Sequence, residues 1–472
     1  MRDSSPNPPV TMASLTSSTL NSIFEDSSVA AQVPDPDRKI RVGQAVAYKD
    51  RLWYCIAAFI ALVSICHWLS VLHKTLRNLP PRSSRSKVSF KRLPAALLDM
   101  FRALAFRQTI SIGKSYTLNF AEVFLTSAYI VLLFTWSLVN STNTKGMKFD
   151  PKYWANTAGN IAATQLPLMT ALGMKNNIIS FLTGVSFDKL NYLHRMTARI
   201  IVVLTWVHGA GRIKLGLVGE VAWTHPWIQC GVLASTSLSI LSIMAIQPIR
   251  NRHYEVFLLT HFILCFIFLL ASYFHTQVLL GLGYYVWPTF LIWGLDRLVR
   301  ALRLVAFNFG YFKSKSAMEL DAHVDILSPH FLRIVLYRPA HFHWAPGQSA
   351  YLTIPTVSGF PLEAHPFTMS TIDVPYIEDE KSSDAGEKGS ETSTSPTPTT
   401  GAVVKKLVFL TRIRRGFTER LLHAARDNQQ FKAFLDGPYS SPPLLKGYST
   451  VILIAGGSGV AFTLPLLLDL VQ

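Results

Sequence analysis

Over most of the chain apolar residues come in long runs, and over the last third they alternate with polar ones. Seven runs reach the roughly 20 apolar residues that a bilayer core requires. They lie near 51–72, 115–139, 154–173, 194–213, 222–246, 254–280 and 284–305, and each predicts a membrane helix. After about residue 312 the pattern shortens to runs such as HVDILS, FLRIVLY and AYLTIP, divided by Pro/Gly turns, which predicts a small β domain in water. A further run, TVILIAGGSGV at 450–460, predicts a buried strand that turns into a helix.

Two stretches lack periodicity. Residues 1–48 are rich in Ser and Pro and have no apolar signal-peptide core, so they predict a disordered tail, with the first apolar run serving as its own signal. Residues 376–402 are acidic, then Ser/Thr/Pro-rich, and predict a disordered insertion inside the β domain.

Composition agrees with a membrane protein: 49% of the 472 residues are hydrophobic. The net charge of +17 is explained by membrane-flanking loops rather than by nucleic acid, which is not expected as a partner. Nine Lys/Arg lie between Lys74 and Arg107, placing that loop in the cytosol. Alternation from there puts the N-terminus outside and the exit of the seventh run inside. Arg250 and Arg252 then fall inside, as do Arg297, Arg300 and Arg303, and the glycosylation sequon at Asn140 falls outside. The four cysteines all lie within apolar runs and suit small buried residues.

Candidate chemistry begins with histidines. His194 and His208 are fourteen residues apart in the fourth run, and His261 and His275 are fourteen apart in the sixth. Fourteen residues advance about 21 Å along a helix and fall about 40° short of four turns, so each pair shares one face at two depths. Both helices run from inside to outside, which sets His194 level with His261 and His208 level with His275. Each level can give both axial ligands of one haem, a six-coordinate arrangement suited to electron transfer. A single intramembrane histidine is more often a helix-to-helix hydrogen-bonding residue; two matched spacings favour ligation. Zinc is disfavoured, because the histidines of one helix are too far apart to share a tetrahedral site. His67, His73, His225 and His253 have no partner at this spacing and are read as structural. Arg195 and Arg199 suit either interfacial anchoring or haem propionates.

In the β domain, HPFTMST at 365–371 presents an imidazole, an aromatic ring and hydroxyls, groups that suit a flavin. RRGFTERLL at 414–422 predicts a glycine turn and then a helix capped by Thr418, whose free N–H groups can cradle a phosphate. IAGGSGV is a strand, a glycine turn and a helix start, a weak nucleotide signal by itself.

Taken as a set, LHRMTAR…WVH, RNRHYEVFLLTHF…FH, HPFT and GGSGV resemble the fungal ferric reductase branch of the family that also contains the NADPH oxidases. The resemblance covers roughly residues 190–472. It implies a seven-span haem-binding helical bundle (49–310), a ferredoxin-reductase-type β-barrel FAD domain (311–447) and the truncated start of an α/β NADPH-binding domain (448–472). It implies two haem b groups on His194, His208, His261 and His275. FAD would meet His365, Pro366, Phe367, Thr368 and Ser370, with Arg415, Gly416, Phe417 and Thr418 at its pyrophosphate. NADPH would meet Gly456, Gly457, Ser458, Gly459 and Val460. The expected activity is ferric-chelate reduction: electrons pass from cytosolic NADPH through FAD and the haems to a ferric or cupric chelate at the outer face. An iron permease and oxidase in the same membrane are the expected partner system, and the plasma membrane, or else the vacuolar membrane, the expected location. Within the resemblance, equal histidine spacing favours a metalloreductase over a superoxide-forming oxidase; a truncated form unable to use NADPH is the other alternative. A receptor or channel leaves the four histidines unexplained.

Overall fold

In a computed structural model, residues 36–76, 93–112, 116–277, 285–308, 321–360, 363–377, 403–440 and most of 442–472 are described. Helices cover every one of the seven apolar runs. They are α1 (Arg38–Leu76), α3 (Phe120–Leu138), the pair α4 (Pro151–Thr164) and α5 (Leu166–Gly173), α7 (Phe187–Leu215), α8 (Pro226–Met244), α10 (Tyr254–Gln277) and α11 (Trp287–Phe307). Shorter helices α2 (Leu93–Arg102), α6 (Ile178–Thr183) and α9 (Gln247–Arg252) lie in the connections, as does a two-stranded antiparallel sheet of β1 (Thr109–Ile112) and β2 (Tyr116–Asn119). Among the described residues four helices, α1, α3, α8 and α10, are long and apolar enough to cross a membrane. α7 and α11 are as long but carry several charged residues, including Arg195, Arg199, Arg297, Arg300 and Arg303.

Local sequence explains where these helices start. Asn119 accepts the Glu122 N–H while the Glu122 carboxylate accepts the Asn119 N–H, a reciprocal cap at the head of α3. Asp150 caps α4 with Pro151 behind it. Leu52, Leu133, Ile161, Ile201 and Leu204 form the centre of the helical core, whereas Phe124, Val131, Leu259 and Phe266 point outward, as an apolar solvent permits. α4 and α5 lie along α7, and α8 lies along α10.

The β domain has two antiparallel sheets. One has the order β7-β8-β4-β3-β9, from Pro375–Ile377, Val403–Arg412, Phe331–Pro339, Asp321–Ser328 and Gln430–Lys432. The other has the order β10-β5-β6, from Phe434–Tyr439, Ser349–Thr353 and His365–Thr368. A bridge between Met369 and Phe409 joins them, and both enclose one core that includes Leu332, Leu336, Phe342, Leu352, Phe409 and Leu421. Helix α12 (Phe417–Asp427) covers the core with Phe417, Leu421, Leu422 and Ala425.

Several expectations need correction. The tail ends before residue 48, because α1 begins at Arg38 and buries Tyr48, Leu52 and Ile56 at helical spacing; residues 1–35 lie outside the described residues. The third run is two helices, broken at buried Gln165, which accepts the Tyr129 hydroxyl, with Pro167 opening the second. The basic loop contains a helix, α2, whose apolar spacing was hidden among lysines and arginines. Tyr376 and Ile377 pair with Val404 and Val403, so the insertion starts after them; residues 378–402 lie outside the described residues, as do 278–284 between the last two runs. Residues 451–456 form no strand: among the described residues none pairs with them, and Ile452 and Ile454 stand 79% and 87% exposed. The helix after them, α13 (Val460–Val471), does form.

Candidate functional site

The four histidines meet in two pairs. Ring centroids of His194 and His261 are 6.4 Å apart with planes at 67°, and those of His208 and His275 are 6.1 Å apart at 71°. A metal between two Nε2 atoms, with bonds of about 2.0 Å and about 1.1 Å more from each nitrogen to its ring centre, requires about 6.2 Å. Both pairs fit that spacing. Two donors per site leave a tetrahedral zinc short of ligands and suit the axial positions of a macrocycle.

The far nitrogens support this reading. Nδ1 of His194 lies 2.8 Å from the Met169 carbonyl, Nδ1 of His208 lies 2.9 Å from that of Ala155, and Nδ1 of His275 lies 2.8 Å from that of Trp227. With the Nδ1–H donating to a carbonyl, the tautomer is fixed and Nε2 is free to ligate. The fourth, Nδ1 of His261, is buried without a partner.

Glycines make room for these rings. A Cβ added to Gly159 would stand 2.6 Å from His208, one on Gly173 3.0 Å from His194, and one on Gly231 2.6 Å from His275. Each glycine sits four residues after the carbonyl its histidine uses. Gly159 of α4 and Gly173 of α5 are themselves fourteen apart, repeating the histidine spacing across the facing pair of helices. That repeat is visible in the sequence. Of the remaining histidines, His67 packs against Gly184, His225 precedes α8 and His253 follows α9; the side chain of His73 lies outside the described residues. Arg195 bonds Asn191 and keeps a buried Nε without a partner, while Arg199 contacts the Met196 sulfur.

The two flavin motifs, nearly fifty residues apart in sequence, come together in space. The His365 ring stacks on Phe417 at 4.4 Å and 26°, and Phe367 stands 6.2 Å from the same ring. Pro366 is exposed, Thr368 half-buried and Ser370 buried against the strand junction. Glu363 accepts from His365 at 2.6 Å and takes both contacts of Arg420 at 2.8 and 2.9 Å. Burial raises the affinity of this carboxyl for its proton, but bonds from His365, the Gly359 N–H and Arg420 outweigh that and hold it below the usual carboxylate range. Glu255, in the first turn of α10, lies with Glu363 and His365 so that their ligand atoms fall within 4.8 Å of one another. The flavin motif therefore faces the His261 end of α10. Thr418 is not the cap: the helix starts at Phe417 behind Gly416, whose φ of 101° needs glycine, and the Thr418 hydroxyl folds back on Arg414. Arg415 and Gly416 remain exposed beside the open N–H groups of this turn.

Helix α11 joins the two regions. Arg300 binds Asp436 at 2.6 Å, Arg303 donates to the Pro438 carbonyl at 2.9 Å, and Asn308 exchanges two bonds with the Leu435 backbone at 2.9 and 3.0 Å. Lys175, two residues past the glycine beneath His194, stands 3.1 Å above the Tyr351 ring of β5, and burial lowers its pKa to about 7. Of the glycine turn, Gly456, Gly457, Gly459 and Val460 are exposed and Ser458 is half-buried; Gly457 has φ 54° and opens the tight turn before α13. Phe462 of α13 lies against Gly347, which brings this turn beside the flavin domain.

Comparison with known proteins agrees with this division. Residues 158–272 match the ferric reductase like transmembrane component, and residues 316–443 match an FAD-binding domain. Ferric reductase transmembrane component 6 of Saccharomyces cerevisiae is 25% identical over 65% of this chain and 39% of its own length. The "Probable cell surface ferric reductase kap2" of Aspergillus oryzae is 27% identical over 67% and 40%. Ferric reductase transmembrane component 5 of Saccharomyces cerevisiae is 22% identical over 84% and 55%. The chain thus spans about half or less of the length of these relatives. With the match to the transmembrane component, which takes in His194, His208 and His261 and ends three residues before His275, followed by the match to the FAD-binding domain, the chain is similar to fungal ferric reductases over these two segments.

Proposed function

We propose that this chain is the membrane and flavin portion of a ferric or cupric chelate reductase that moves electrons from cytosolic NADPH across the membrane to an acceptor outside. The observation that carries the proposal is the spacing of the two imidazole pairs, 6.4 and 6.1 Å, with three of four far nitrogens bound to carbonyls. Bound there, two haem b groups would supply one-electron relay chemistry, and FAD would convert a hydride into single electrons.

The chain's own residues supply orientation. Met169, Ala155 and Trp227 hold imidazoles through their carbonyls. His365, Pro366, Phe367, Thr368 and Ser370 are assigned to flavin recognition. Arg415, Gly416, Phe417 and Thr418 form the pyrophosphate turn, where open N–H groups favour an anion. Gly456, Gly457, Ser458, Gly459 and Val460 are assigned to NADPH on the family resemblance. The β domain is read as a barrel closed at Met369–Phe409, and the helical region as seven spans with the N-terminus outside. The printed name of the Aspergillus relative supports the cell surface. A reduced-minus-oxidised spectrum of the purified chain should show two low-spin b-type haems on adding dithionite. A preparation that carries flavin and no haem would refute the ligand assignment.

A further inference from the structure

Three of the four imidazoles follow one rule. A ring nitrogen lies against a carbonyl, and glycine occupies the position four residues later: Ala155 and Gly159 for His208, Met169 and Gly173 for His194, Trp227 and Gly231 for His275. The antiparallel register of α4 and α5 against α7 holds over fourteen residues, from Gly159 opposite His208 to Gly173 opposite His194. Helices α8 and α10 are also antiparallel, with Gly231 opposite His275. The same register carried fourteen residues inward sets Leu241 and Ala245 opposite His261. Alanine there replaces the glycine of the other three, and His261 is the one ring whose Nδ1 is buried and unpaired.

We propose that Ala245 is a positioning residue that makes the inner imidazole pair electronically unequal to the outer one, by keeping His261 away from the Leu241 carbonyl. This rests on the haem reading above. Both outer rings, His208 and His275, donate to carbonyls, and of the inner pair only His194 does. An Nδ1–H held by a carbonyl makes the imidazole a stronger donor and favours the oxidised metal, which lowers the midpoint potential. The missing bond therefore raises the inner potential relative to what four equal sites would give. Nothing in the backbone demands alanine or forbids glycine, since Ala245 has φ −77° and closes α8.

The test is Ala245→Gly in the full chain, with haem content and potentiometric titration of the haem bands as readouts. The His208→Ala background isolates the inner component. The expected result is full haem content, an inner midpoint displaced to lower potential and an outer midpoint unchanged. Full haem content with no displacement, or a displacement to higher potential, would overturn the proposal while leaving the haem reading intact. Wild-type protein without haem would overturn that reading itself. Should Ala245→Gly fail to fold, Gly173→Ala decides, since its Cβ would meet His194 at 3.0 Å rather than the 2.6 Å found at Gly159 and Gly231: the inner haem should be kept and its midpoint raised with the outer one unchanged, and an unmoved inner midpoint or a lost inner haem would overturn the rule.

Discussion

Gly159→Ala should empty the outer haem site and leave the fold standing. The new methyl carbon would stand 2.6 Å from Nδ1 of His208, against an ordinary contact of about 3.5 Å, so the ring must retreat by close to 1 Å. That retreat stretches the 2.9 Å bond to Ala155 past the range of a hydrogen bond. A lost bond of this kind is worth about 0.5–1.5 kcal/mol, and the orphaned carbonyl and ring nitrogen add to it. Removal of an outer-shell partner typically weakens metal binding about 10- to 100-fold, which is the loss expected here. The helix itself gains, since alanine is favoured over glycine by about 0.8–1.0 kcal/mol in a helix interior. Pyridine haemochrome assay should therefore report about one haem per chain, with thermal unfolding of the haem-free protein no lower than wild type. Gly209→Ala, one residue from the same ligand but with open space at its Cβ, is the control and should keep both haems. If Gly159→Ala retains two haems with unchanged spectra, or if Gly209→Ala loses one as readily, the packing argument fails.

Further outcomes follow from other contacts. Arg300→Ala removes a partly buried ion pair with Asp436, and haem reduction through the flavin should slow several-fold while dithionite reduction is unaffected; equal rates by stopped flow would count against the junction. Glu363 has its folded pKa below the ordinary 4.5, so its contribution is present above that pH and is lost as pH falls through the lower folded value. Flavin release from wild type should accordingly set in below about pH 4.5, and Glu363→Gln should release flavin already at neutral pH, by fluorescence. Asn140 is exposed with its amide on the Tyr48 hydroxyl at 2.9 Å; glycosidase should shift the wild-type band and not that of Asn140→Gln, and protease protection of the flavin domain on the cytosolic side would contradict the orientation.

What the sequence revealed depended on periodicity. The seven apolar runs and the histidine spacing are single-helix properties, and one period of 3.6 residues suffices to read them. HPFT and RRGFT were legible as separate motifs, but only folding brought His365 onto Phe417. Features set by two elements at once stayed hidden. The glycines opposite the histidines look like ordinary small residues until the facing helix is present, and Arg300 and Arg303 look like interfacial anchors until β10 lies beside them. Thr418 was a sound cap by residue type, but Gly416 can adopt a φ that moves the helix start. The run 451–456 has the composition of a buried strand, yet a strand exists only with a partner, and none of the described residues supplies one.

The exchange of bonds between Asn308 and Leu435, beside the Arg300–Asp436 pair, has a mechanical meaning. A carrier domain that swings between donor and acceptor needs a loose tether, and here helix α11 is instead pinned to the β sheet within one residue of its own end. The flavin motif and the inner histidines then travel as one body, like two components soldered to the same board. Traffic through such an assembly is set by the standing distance between its parts, so residues inserted after Asn308 would leave throughput unchanged as long as this joint holds.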